Sequence, residues 1–259
     1  MKKTLSRLIT LILTASLLLS LTSCFWFVER LEYADGASYV SGSTRFDKSN
    51  LATDVSVEIN WLGGSVTVLT TDSDEIVIEE KNTTAINYQN SLHTYYDGKT
   101  LHVRPAASGT PLSEIPSKAL TVYVPADLSV GLLLVTGASV DVGIGDVTAN
   151  VMYVKIGDGS LNLGGCKVSD RLEYTVGTGD AFISPATMPD RINVNVGSGN
   201  TDLILPRGEG FTLGYHAGSG DFISEYTEKL NDGSLVVGDG SKKISYSAGA
   251  GNLYLGKRD

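Results

Sequence analysis

The chain has 259 residues, with 20 Lys and Arg against 29 Asp and Glu, a net charge of −9 and an isoelectric point near 4.8. That balance argues against a nucleic-acid partner and against electrostatic docking on anionic lipid, both of which draw on a basic surface. Only two cysteines and three histidines are present, too few for a disulfide framework or a histidine-rich metal centre.

The N-terminus carries an address. Lys2, Lys3 and Arg7 precede an apolar run from Leu8 to Leu21, and the chain then reads Leu21-Thr22-Ser23-Cys24. A charged segment, a short apolar segment and small residues before a processing point make a secretory signal, and the run falls short of the ~20 residues that span a bilayer. Cysteine in that position resembles the bacterial lipobox. It implies removal of residues 1–23, lipidation of Cys24 and attachment to the outer face of the cytoplasmic membrane. The remaining chain holds 17 Lys and Arg against 29 Asp and Glu, so the lipid, not a basic patch, is its expected hold on the membrane.

Residues 24–40 read as a membrane tether, with Phe25-Trp26-Phe27 apolar enough for the interface. Residues 41–259 read as one domain. From Thr53 the residues Val55, Val57, Ile59 and Trp61 alternate, and Gly63-Gly64 leads into a second run, Ser65–Leu69. Glu75–Glu80 is a further strand. Tyr95–Val103 is a hairpin whose Asp97-Gly98 suits a type I′ turn. Ala119–Val124 is a strand stopped at Pro125. A worn copy of the strand-turn-strand unit follows at Leu133–Val142, with Thr136-Gly137-Ala138 in the turn.

The unit then repeats. Its turns are Gly157-Asp158-Gly159, Gly177-Thr178-Gly179, Gly197-Ser198-Gly199, Gly218-Ser219-Gly220 and Gly249-Ala250-Gly251, stepping by 20, 20, 21 and 31 residues. Before the turns the columns Met152/Val154/Ile156, Leu172/Tyr174/Val176, Ile192/Val194/Val196, Leu213/Tyr215/Ala217 and Ile244/Tyr246/Ala248 alternate with polar residues. Period two sends these columns to one face. A step of 20 residues is too short for a strand-helix-strand crossover, and no unit buries its apolar face alone. The expected fold is therefore all-β: a parallel β-solenoid of roughly 20-residue coils. The 31-residue step, containing Asn231-Asp232-Gly233, predicts a hairpin extension.

Chemistry is sparse. Cys166 sits at a coil corner and reads as a small buried hydrophobe. The recurrent Asp180, Asn200, Asp221 and Asn252 after the turns suit tight-turn chemistry, since one oxygen-bearing side chain per coil is thin for Ca²⁺. His93, His102 and His216 lie at no metal-ligand spacing, no Gly-x-Ser-x-Gly elbow exists, and no helix follows any Gly-x-Gly. No catalytic residue, cofactor or metal site is expected. The outward column Asn162, Phe182, Asp202, Ile223, Tyr254 places three large apolar groups on one face, and Phe182, Ile223 and Tyr254 are the candidate partner-binding residues.

Three stretches resemble a known family: Val57-Glu58-Ile59-Asn60-Trp61-Leu62-Gly63-Gly64-Ser65-Val66-Thr67-Val68, Leu120–Pro125 and Leu203-Ile204-Leu205-Pro206. With the successive Gly-x-Gly turns, they are similar to the bacterial DUF4097 group of adhesin-like envelope proteins, over residues 53–256. The resemblance implies a β-solenoid in the cell envelope and carries no set of functional residues. The expected function is a lipid-anchored envelope protein whose solenoid mediates adhesion or binds a protein or glycan partner. The alternative is a component of envelope-stress signalling that grips a membrane sensor or an antimicrobial peptide.

Overall fold

The computed structural model describes residues 29–42, 44–81 and 87–258. Among the described residues strands dominate, and helical structure is confined to three short 3-10 turns. None of the described helices is long and apolar enough to cross a membrane.

The coils are parallel and bent. Each contributes a first arm before its glycine turn and a second arm after it, and equivalent arms hydrogen-bond from coil to coil. Thr148–Asp158, Lys167–Thr178 and Arg191–Ser198 pair in order along the first arm. Leu161–Gly164, Ala181–Ser184 and Thr201–Leu205 pair along the second. The apolar columns point between the arms and form one core, where Met152, Val154, Leu172, Tyr174, Ile192 and Val194 are buried. Val147, Cys166, Val168 and Met188 extend that core into the returns between coils. The Cys166 thiol contacts the carbonyl oxygens of Gly164 and Ile144 at 3.6 and 3.7 Å, and burial pushes its pKa up to about 11. It is an inert core group, as its position predicts.

The turn glycines are required by close stacking. Gly199 has φ 143°, and a Cβ there would lie 2.0 Å from the Gly179 carbonyl oxygen; at Gly251 (φ 137°) it would lie 1.8 Å from that of Gly199. Side chains are excluded where left-handed glycine corners of adjacent coils touch.

In two places the chain departs from its simple periodicity. The order of the last two coils is reversed. Lys242–Ala250 pairs with Arg191–Ser198 on one side and Phe211–Ser219 on the other, so the last repeat in sequence is inserted before the one preceding it. The reason is the predicted hairpin. Ser234–Val237 folds back antiparallel on Phe211–Gly214 and occupies the edge that a following coil would need, so that coil enters on the opposite side. In the worn copy, Val130–Gly145 is one unbroken strand, and register puts Ala138-Ser139-Val140, not Thr136-Gly137-Ala138, at the turn: Ser139 lies opposite Asp158 and Gly63. Val140 and Gly64 then occupy the glycine column.

The N-terminal end of the stack is closed by antiparallel strands. Ser56–Thr71 spans both arms, pairing with Val130–Gly145 on one side and, on the other, with Thr100–Arg104 and Lys118–Pro125. His93–Tyr96 continues one arm antiparallel, and Glu75–Lys81 the other. The expected hairpin is present, but its turn is not type I′, which needs positive φ at both central residues. Only Gly98 is left-handed (φ 98°). The Asp97 carboxylate accepts the amides of Lys99 and Thr100 at 2.8 and 2.7 Å, which holds a four-residue loop between the paired Tyr96 and Leu101. Within the segment expected as tether, Arg30–Leu31 pairs antiparallel with Thr110–Pro111, and Tyr39 is buried against Tyr33 and Tyr95.

Candidate functional site

Second-arm register sets the outward column in the order Asn162, Phe182, Asp202, Tyr254, Ile223. Phe182 and Ile223 are 42% and 53% exposed. Tyr254 is half-buried, its phenol donating to Glu225 Oε1 at 2.6 Å. Coil reversal seats Tyr254 between Asp202 and Ile223, and the Asp202 residue separates the Tyr254–Ile223 pair from Phe182. The hairpin lies at the end of the stack, and Phe182 and Ile223 stay exposed beside it. The face thus presents apolar groups on both sides of a charge, the kind of surface that suits contact.

The Tyr254–Glu225 bond is testable by titration. Glu225 also accepts the Lys257 amide at 2.8 Å, and the tyrosine hydrogen bond first, then that amide, hold its carboxyl below the ordinary carboxylate range. A carboxyl depressed on folding contributes stability that is present above its unfolded pKa and lost as pH falls through its folded pKa. Tyr254→Phe is expected to raise the Glu225 midpoint, read by carboxyl ¹³C titration, and to narrow the acid-side difference in stability. An unmoved midpoint would show that the phenol is not its partner.

The Asp and Asn residues after the turns form a ladder along the stack. The Asp141 carboxylate accepts the Ser160 amide at 2.9 Å, and Asp180 accepts that of Asn200 at 2.7 Å. The Asn200 side chain accepts the Asn252 amide at 3.1 Å, and Asn252 accepts that of Asp221 at 2.8 Å. Each oxygen is used to join one coil to the next. Among the described residues, no group of three His, Cys, Asp or Glu side chains could hold a metal ion.

The histidines are dispersed. His93 is buried, with Nδ1 2.8 Å from the Ser91 carbonyl oxygen, and burial lowers its pKa. The His102 ring lies between Glu58 and Asp97, at 3.4 and 3.2 Å, and Arg104 reaches the same Glu58 at 2.6 Å. His216 is exposed. A cavity of about 510 Å³ opens between the turns near Arg207 and Asp239, lined also by Glu209, Tyr226, Ser241 and Lys257. Lys257 stands 4.5 Å over the Tyr226 ring. Two acids and two bases balance there, and Asp239 accepts the Ser241 amide at 3.0 Å.

One internal site was missed in the sequence. Lys118 and Glu80 form an ion pair with side chains 0% and 3% exposed. The Lys118 ammonium also donates to the carbonyls of Asn90 and Pro105 and lies 5.0 Å from the Trp61 ring centroid. The signal was present: Ile76, Ile78 and Glu80 share one inward column, and Lys118, Leu120 and Val122 another, so opposite charges stand at inward positions of neighbouring strands. Cys24 and Phe25-Trp26-Phe27 lie outside the described residues.

This arrangement of bent parallel coils defines a β-solenoid domain of the Toastrack kind: the family model described as Toastrack DUF4097 matches residues 125–255. The chain belongs to that family. A cell adhesion candidate from Clostridium sporogenes shares the fold at a TM-score of 0.51, with 11% identity over 85% of this chain and 100% of that one. A candidate adhesin from Bacteroides fragilis matches 84% of this chain and 96% of its own at 9% identity and a TM-score of 0.34. No curated protein matches the sequence.

Proposed function

We propose that the protein is a lipid-anchored component of the bacterial cell envelope whose solenoid binds partners through its outward second-arm face and performs no catalysis. The single observation that carries the reading is the outward set of exposed Phe182 and Ile223 with half-buried Tyr254, placed on one face by coil register. The leader ending at Cys24 supports attachment outside the cytoplasmic membrane, and the adhesion-related names of the fold's neighbours agree with a surface role.

Replacing Phe182, Ile223 and Tyr254 together by Ser tests the face. Each substitution at an exposed position is expected to change stability by no more than about 0.5 kcal/mol; Tyr254, with its Glu225 bond, falls at the upper end. Capture of protein or glycan partners from envelope fractions should fall sharply, because aromatic and apolar anchors dominate interface energy. A variant that folds and captures normally would move the interface to the polar first-arm face, Lys155–Thr175–Asn195–Ser247–His216. Recovery of a sensor kinase as the main partner would shift the role to envelope-stress signalling.

The anchor has its own test. The wild-type protein should enter the detergent phase, since each buried CH₂ of an acyl chain contributes ~0.8 kcal/mol. Cys24→Ala should accumulate as an unlipidated precursor. A soluble mature wild-type protein beginning at another residue would overturn the anchoring.

A further inference from the structure

We propose that the open end of the coil stack is a docking edge for an extended, cationic peptide segment, which adds to the sheet as one more strand. This goes beyond the adhesive face, whose contacts are side chains on the sheet's outer surface; here the contact is the backbone of the last coil.

The donor pattern identifies the edge. The turn's second glycine and the residue two further on donate to the next coil throughout the stack. Gly159 and Leu161 donate to Thr178 and Asp180, both at 3.0 Å; Gly179 and Ala181 to Ser198 and Asn200, both at 2.9 Å; Gly199 and Thr201 to Ala250 and Asn252 at 3.0 and 2.9 Å; and Gly251 and Leu253 to Ser219 and Asp221 at 3.0 and 2.9 Å. In the terminal coil these positions belong to Gly220 and Phe222, and no described coil lies beyond. The hairpin strand covers only Phe211–Gly214, and the Tyr215 amide reaches Gly233 at 2.7 Å. Among the described residues, no strand pairs with the outer edge from His216 to Ser224.

The side-chain ladder also ends there. Asp141, Asp180, Asn200 and Asn252 each accept an amide from the following coil. Asp221 stands last in this ladder and is exposed, at the position whose counterparts meet the following coil. An added strand would therefore find two amide donors and one charged acceptor in the geometry the stack already uses. Parallel edges of this kind accept peptides by β-augmentation.

Charge selects the occupant. The turn corners carry Asp141, Asp158, Asp180 and Asp221, with no Lys or Arg in residues 137–141, 157–161, 177–181, 197–201, 218–222 or 249–253. The chain leaving the edge adds Glu225, Glu228 and Asp232 against Lys229 alone. An incoming strand with alternate Lys or Arg side chains meets complementary potential, whereas a second copy of this acidic chain is repelled. Close corner stacking adds a requirement for glycine: at Gly220 itself a Cβ would lie 2.1 Å from the Gly251 carbonyl oxygen, so the residue seated over Gly220 must also lack a side chain.

The test uses the detergent-solubilised full chain and the synthetic peptide Lys-Val-Lys-Gly-Ser-Gly-Lys-Val-Lys, with its Glu-for-Lys counterpart as control. Amide hydrogen exchange at Gly220 and Phe222 should slow by about tenfold or more at saturating peptide, and the acidic peptide should leave it unchanged. Asp221→Lys should weaken binding about tenfold or more, with Asp221→Asn between that variant and wild type. Asp221 ends its ladder, so these variants remove no link to a later coil. Absence of binding, binding without slowed exchange at the two amides, or equal binding of both peptides would overturn the proposal. Protection that grows with protein concentration and needs no peptide would overturn it in favour of a second copy. The triple serine variant retains both amides, so loss of the outer-face function and loss of this edge are separately visible.

Discussion

Ile192→Asp is expected to cost roughly 4–5 kcal/mol or more, enough to unfold a domain of ordinary stability. Ile192 is fully buried, and coil register places it between Leu172 and Ile244, with Leu213 one coil further on. An aspartate there loses the isoleucine's packing and meets only aliphatic neighbours. It must either stay ionised without a partner or take up a proton, and both outcomes oppose folding. Because each coil is stabilised mainly by its neighbours, the damage should extend into the coils on both sides. Hydrogen exchange should show lost protection at Leu172 and Ile244 before any change near Ile59. Asn193→Asp, one residue later and facing outward, should change stability by less than about 1 kcal/mol; its small cost comes from the adjacent Glu173. Equal shifts in melting temperature for the two variants would show that the strand's facing is wrong.

Lys118→Met should destabilise by about 3–5 kcal/mol, because removing one partner leaves the other charge buried. At this chain length that is a fall of roughly 6–20 °C in melting temperature. The Lys118 ammonium holds together Glu80, the Asn90 carbonyl and the Pro105 carbonyl, so its loss frees the two loops that close the N-terminal end of the core. Burial drives the Lys118 pKa downward and contact with Glu80 opposes that shift. The paired charges therefore offset a desolvation penalty and contribute little net attraction. The double variant Lys118→Met/Glu80→Gln should recover part of the loss, since it removes the orphaned charge. A single variant that loses less than about 1 kcal/mol would show that the pair is hydrated.

Period-two alternation and the glycine turns were sufficient to assign strands, their inward columns and the parallel coil. Both signals are local: alternation sets which face a side chain takes, and only glycine tolerates the corner contacts. The candidate residues Phe182, Ile223 and Tyr254 were legible for the same reason, as outward members of their strands. Lys118 and Glu80 were legible as inward charges, but their meeting was not, because it joins antiparallel strands whose pairing has no repeat to align it.

By itself, the sequence determined the strands of the repeat, their facing and the apolar run before Cys24. Tertiary structure alone decided the order of the last two coils, the placing of Tyr254 against Asp202, and which end of the stack stays open. Columns such as Ile192, Ile244 and Leu213 are near-equivalent in size and hydrophobicity, so any of these coils can stack on any other and periodicity cannot rank them. The choice falls to the hairpin strand Ser234–Val237: it pairs with the edge of Phe211–Gly214, which forces that coil to be terminal.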